Sequence, residues 1–146
     1  MIDRRTLLWA LGSTALTATV AFSREAGGAL RGFNLIETPN APFGSPAAAQ
    51  SIARLRDTGA TAATVTPFLW QPSPSSSAIV MGDALPHDRI AAGIAQLHAA
   101  GLAAIVKPHV WVPESWAGAI APEPDSADAW HAAYAEVLRA IAVTAE

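Results

Sequence analysis

The chain of 146 residues is 51% hydrophobic and 14% charged, with a formal net charge of −3. That length holds one domain, and so apolar a composition excludes an intrinsically disordered chain. Nine Lys and Arg without a basic run give no electrostatic ground for binding nucleic acid, and the absence of cysteine rules out disulfides, thiolate chemistry and Cys-based metal sites.

Residues 1–26 read as an export signal. Arg4 and Arg5 precede an apolar stretch from Leu7 to Phe22, and small residues follow around Thr19, Ala21 and Ser23. The order Asp3-Arg4-Arg5-Thr6-Leu7-Leu8 is similar to the twin-arginine motif, which makes the twin-arginine export machinery a partner; an ordinary secretory signal with two arginines is the alternative. The apolar stretch is shorter than the roughly 20 residues that span a bilayer. No stable membrane anchor is therefore expected. Removal of the segment between Ala21 and Ala26 would leave residues 27–146 as a periplasmic or extracellular domain.

From Leu30 onward, short apolar runs alternate with helical patterns. Residues 31–36 form a first strand. Ser45 caps a helix that starts at Pro46 and ends at Gly59, with Ile52 and Leu55 inward and Arg54, Arg56 and Asp57 outward. Ala62 to Pro67, with its β-branched Thr64, Val65 and Thr66, is a second strand. Phe68 to Leu85 is expected as a long structureless loop, the length of which marks it as functional. A helix spans Asp88 to Ala100, with Ile90, Ile94 and Leu97 on one side and Gly101 at its end; Asp83 and Asp88 serve its N-terminus. Leu102 to Val106 is an apolar run expected to be a strand buried on both faces. Lys107 to Asp125 is a second long loop. The last helix, from about Ser126, lines Trp130, Tyr134, Val137, Leu138 and Ile141 along one side, with Trp130 expected in the core.

The order βαβαβα predicts an α/β fold with parallel strands joined by crossover helices. Both long loops follow strands and so gather at the C-terminal edge of the sheet, where such folds place their sites. Three strands leave two open sheet edges, and a closed eight-stranded barrel needs about 250 residues. The sequence is expected to encode the first three βα units of a TIM (β/α)8 barrel, truncated relative to that fold.

The segments Arg31-Gly32-Phe33-Asn34-Leu35, Gly59 to Val65, Leu97 to Leu102, Ile105-Val106-Lys107-Pro108-His109-Val110-Trp111, Ser115-Trp116-Ala117-Gly118 and Trp130 to Tyr134 stand in an order that resembles the N-terminal half of the family-113 β-mannanases and their relatives. The resemblance implies a TIM-barrel glycoside hydrolase acting on β-linked glycans with retention, through two carboxyl groups at the ends of the fourth and seventh strands. Those catalytic residues are expected beyond Glu146. A polysaccharide or oligosaccharide is the implied substrate.

Several residues are candidates for contacting it. Lys107 and His109 share one side of their strand end, where they would hydrogen-bond sugar hydroxyls or support a carboxylate; the alternative sends Lys107 to solvent and leaves His109 capping loop groups. Trp70, Trp111 and Trp116 offer flat indoles to the C–H faces of sugars, or else cover the barrel rim. Asn34 and Gln71 are hydrogen-bonding candidates, with turn capping the alternative for Asn34. Glu114 and Glu37 lack an obvious paired carboxylate. His87, His98, His109 and His131 show no metal-ligand spacing, and no glycine-rich phosphate loop appears, so neither metal nor cofactor is expected. The competing function is a non-catalytic exported protein that binds polysaccharide or assists envelope assembly.

Mass spectrometry of the exported product should find its N-terminus between residues 22 and 27. Replacing Arg4 and Arg5 by Lys should retain the precursor in the cytoplasm. Undiminished export of that variant would assign the ordinary secretory route.

Overall fold

The β-branched and apolar runs of the sequence pair as parallel strands. In the computed structural model, which describes residues 29–83 and 85–145, β1 (Gly32–Leu35), β2 (Ala62–Val65) and β5 (Ala103–Val106) lie side by side in the order β1-β2-β5. The candidate export signal, residues 1–26, lies outside the described residues. Helices α1 (Pro46–Asp57) and α2 (His87–Ala99) make the crossovers, and α3 (Ala127–Ala145) follows the last strand. The fold is mixed α/β with three parallel βα units, a partial TIM barrel.

Local chemistry explains where the helices begin and end. The Ser45 hydroxyl accepts the Ala48 N–H at 3.1 Å, with Pro46 next to it in the first turn. Gly59 and Gly101 close α1 and α2 with φ of 86° and 71°, a left-handed conformation that glycine adopts at no steric cost. Asp88 lies in the first turn of α2, where it complements the helix dipole.

The two expected loops are not structureless. Residues 68–85 contain β3 (Phe68–Trp70) and β4 (Val80–Met81), and residues 107–125 contain β6 (His109–Trp111) and two short 3-10 turns at Ala117–Ala119 and Pro124–Ser126. The physical reason is a ladder that runs past its prolines. Val65 pairs with Val106 and Phe68 with His109, so β3 and β6 keep the register of β2 and β5, with Pro67 opposite Pro108. A proline lacks an N–H but keeps its carbonyl. The Lys107 N–H therefore reaches the Val65 C=O, and the His109 N–H reaches the Pro67 C=O, each at 2.9 Å. β4 then pairs antiparallel to β3, giving the second sheet the order β4-β3-β6.

Strand alternation divides the side chains between two faces. Ala63, Val65, Ala104 and Val106 meet Phe43, Ile52, Ile90 and Leu97 beneath the helices. Further along, Leu69, Val110 and Val112 join Ile79 and Ile141, with Trp130 and Tyr134 packed against them. Trp130 is thus partly buried on the second cluster. The opposite face is open: Ile105, expected to be buried, is 38% exposed. The run Leu102–Val106 is apolar throughout, yet only its helix-side residues are covered by the described chain.

Ile90 is fully buried between α2 and the sheet, so Ile90→Ala should cost about 3 kcal/mol through lost transfer energy and the cavity left behind. Urea unfolding measures it. A loss below about 1 kcal/mol would mean that the helix does not seal this core.

Candidate functional site

Because β2–β3 and β5–β6 share one uninterrupted register, the face away from the helices is built in rows. The first row, across three strands, is Asn34, Thr64 and Ile105. Thr66 and Lys107 follow, then Phe68 and His109, and at the strand tips Trp70 and Trp111. Four residues picked from the sequence for a shared site, Lys107, His109, Trp70 and Trp111, therefore stand on the same face, with Asn34 at its base.

The base is polar and ordered. The Thr64 hydroxyl donates to the Asn34 Oδ1 at 2.9 Å and lies 3.2 Å from the Thr66 hydroxyl. Above it the face turns aromatic. Phe68 meets the His109 ring edge-on, with centroids 5.4 Å apart, and meets Trp111 at 6.3 Å. Trp70 and Trp111 are 6.2 Å apart and tilted by 59°. Val80, paired with Trp70 across β4, extends this last row, which stays open to solvent: Val80 is 57%, Trp70 39% and Trp111 46% exposed. Lys107 is exposed and makes no ion pair among the described residues.

Gly82 determines where the Trp70 ring lies. A Cβ at position 82 would run into the indole Nε1 and come within 2.7 Å of Cδ1. The pyrrole edge of the ring therefore occupies the space that a side chain at position 82 would need.

Gln71 and Trp116 sit elsewhere. Gln71 falls on the helix-side face, fully buried, and its amide is engaged within the protein. Its Nε2 donates to the carbonyls of Ser73 and Pro74 at 2.8 and 3.2 Å, and its Oε1 accepts the Trp130 indole N–H at 3.0 Å. Its backbone N–H donates to the Trp111 C=O at 3.0 Å. Gln71 thus ties the 71–74 turn, α3 and the tip of β6 to one point. Trp116 is 71% exposed, folded over Gly118, and makes no ring contact with the Trp70–Trp111 pair. Its loop is nonetheless joined to the other, through the Ala121 N–H and the Pro74 C=O at 2.9 Å.

The two candidate glutamates differ from one another. Glu37 is held by Arg89 at 3.0 Å and by the Phe43 N–H at 3.0 Å, which pins the segment after β1 to α2. Glu114 sits in the turn after β6 with φ of 54°, exposed. Among the described residues no group of three or more His, Asp or Glu is placed to hold a metal ion, and no helix is long and apolar enough to cross a membrane.

Phe68, Thr64, Thr66, Val80 and Gly82 belong to this face and were not anticipated from the sequence. The repeated order of β-branched or apolar run, Pro, then aromatic was the available signal: Thr66-Pro67-Phe68 aligns with Lys107-Pro108-His109.

No family model and no curated protein matches the sequence. Solved structures do. A GH113 β-mannanase from Alicyclobacillus acidocaldarius, in complex with ManMIm, matches 83% of this chain with a TM-score of 0.71 at 26% identity. The chain is part of a GH113-like TIM barrel. It spans 42% of the length of that β-mannanase. Two further GH113 β-1,4-mannanase structures match 74% and 73% of this chain with TM-scores of 0.61 and 0.59. Both are 19% identical to it, each is covered over 38% of its length, and their agreement concerns the fold. In a GH113-like barrel the face bearing Asn34, Thr64 and Ile105 is the interior, and the tips bearing Trp70 and Trp111 lie at the mouth, where TIM barrels carry their chemistry.

Gln71→Leu should roughly keep the side-chain volume yet leave the Trp130 indole N–H and two turn carbonyls without this partner, at a cost of about 2 kcal/mol in denaturant unfolding. A neutral result would mean that the amide does not hold α3 to the strand tips.

Proposed function

We propose that the open face binds a β-linked polysaccharide of the β-mannan type, and that the complete protein is an exported, retaining glycoside hydrolase. The observation that carries this reading is the row of exposed rings at the mouth of a GH113-like barrel, set above an ordered polar base. A pyranose has an apolar C–H face and a rim of hydroxyls. Trp70 and Trp111 supply rigid apolar area for the first at small entropic cost. Lys107, His109, Asn34 and the threonine hydroxyls supply donors and acceptors for the second.

Retaining hydrolysis requires two carboxyl groups about 5–5.5 Å apart, one as nucleophile and one as acid/base. Glu37 is committed to Arg89 and to a backbone N–H, and Glu114 projects from a turn tip, so neither is assigned that work. Catalysis belongs in this reading to carboxylates of the rest of the barrel, and the 146-residue chain contributes substrate binding. Lys107, with no acidic partner among the described residues, is suited to stabilise such a carboxylate in its ionised form. Delivery by the twin-arginine route to the periplasm or beyond, where polysaccharides are met, completes the proposal.

A non-catalytic role in binding envelope polysaccharide shares the same face and differs only in the missing carboxylates. Titration with β-1,4-manno-oligosaccharides should show binding, and Trp111→Ala should weaken it roughly tenfold, since one stacked ring contributes about 1–1.5 kcal/mol. The chain itself should release no reducing ends from a panel of β-glycans. Specific turnover would overturn the division of labour proposed here, and unchanged affinity in Trp111→Ala would overturn the stacking role.

A further inference from the structure

Beyond the exposed row, between Trp70 and the start of the loop after β6, lies a small recess of about 130 Å³. Its walls are Trp70, Gln71, Pro72, Ala78, Val80 and Pro113, and no polar atom is exposed within it. Gln71 is the polar residue among them, yet its Nε2 and Oε1 are consumed by Ser73, Pro74 and Trp130. The recess is therefore apolar, and it adjoins the row of Trp70, Trp111 and Val80 at the strand tips. Its position is fixed by Gly82, which seats Trp70, and by the pairing of Trp70 with Val80.

A sugar hydroxyl placed in this recess would give up hydrogen bonds to water and find none in return. A methyl group would bury apolar surface instead. The substituent that presents a methyl group on the rim of a hexose, while its ester carbonyl remains at the opening toward water, is an O-acetyl group. We propose that the recess is a subsite for an O-acetyl substituent, so that the protein prefers acetylated β-linked glycans over their deacetylated forms. The proposal rests on the glycan-binding reading and deepens it: a ring stacked on Trp70 carries its substituents directly over the recess, because Trp70 lines both.

The experiment compares O-acetylated and chemically deacetylated manno-oligosaccharides of equal length by calorimetric titration of the protein. Acetylated ligand should bind roughly tenfold tighter, the discrimination that one apolar group in a matching pocket provides. Ala78→Leu fills the recess from an exposed loop position without touching Trp70's pairing. It should bring the two affinities to within about twofold while leaving that for deacetylated ligand unchanged. A thermal melt of the variant should match the parent, which separates loss of preference from loss of fold. Equal affinities in the parent protein would overturn the acetyl subsite and leave the glycan face standing. A preference that survives Ala78→Leu would also overturn it, since the substituent would then be read elsewhere. Failure of both ligands to bind would overturn the glycan reading itself and the subsite with it.

Discussion

Everything on the open face depends on one ladder of backbone hydrogen bonds. The parallel pairing that begins at Ala62 and Ala103 ends at Trp70 and Trp111, with Pro67 and Pro108 opposite each other in the middle. Two prolines in adjacent strands would ordinarily end a sheet. Here the carbonyl of Pro67 still accepts the His109 N–H, and the Lys107 N–H is taken by Val65. The strands therefore cross the break without losing a residue of register. A slip of one residue would send Trp70 and Trp111 to the helix side and bring Leu69 and Val110 into solvent. The prolines are tolerated because the partner strand has the same interruption at the same place.

From that register the two faces acquire different work. On the helix side lie the apolar residues that exclude water, and among them the buried amide of Gln71, with its hydrogen-bonding groups matched. Its enclosure is affordable only because those partners are present, since an unpaired buried amide would cost about 1–3 kcal/mol. On the other side lie groups that leave their polar atoms or ring faces toward solvent. The barrel mouth of the GH113-like fold is thus prepared on one side by hydrogen bonds and packing made on the other.

Much of this was legible in the sequence. The helices follow from capping and glycine signals, since Ser45, Gly59 and Gly101 do in the structure what their chemistry requires. The three main strands follow from short apolar or β-branched runs between the helical patterns, and the placement of Lys107 and His109 on one face follows from alternation. What was not legible came from non-local pairing. Phe68-Leu69-Trp70 and His109-Val110-Trp111 are each too short to announce a strand, and proline before each argues against one; they become strands because they find one another. Gln71 was equally opaque. Its residue type suits a sugar hydroxyl, and only the position of Trp130, far along the chain, shows where its amide is directed.

Gly82 has a consequence of its own. The seat of the Trp70 ring is specified by the lack of an atom, so nineteen of the twenty residues at that position would lift the indole off the sheet while altering no partner of the backbone. A side chain at position 82 would therefore reshape this end of the face in one step and leave the rest of the architecture intact.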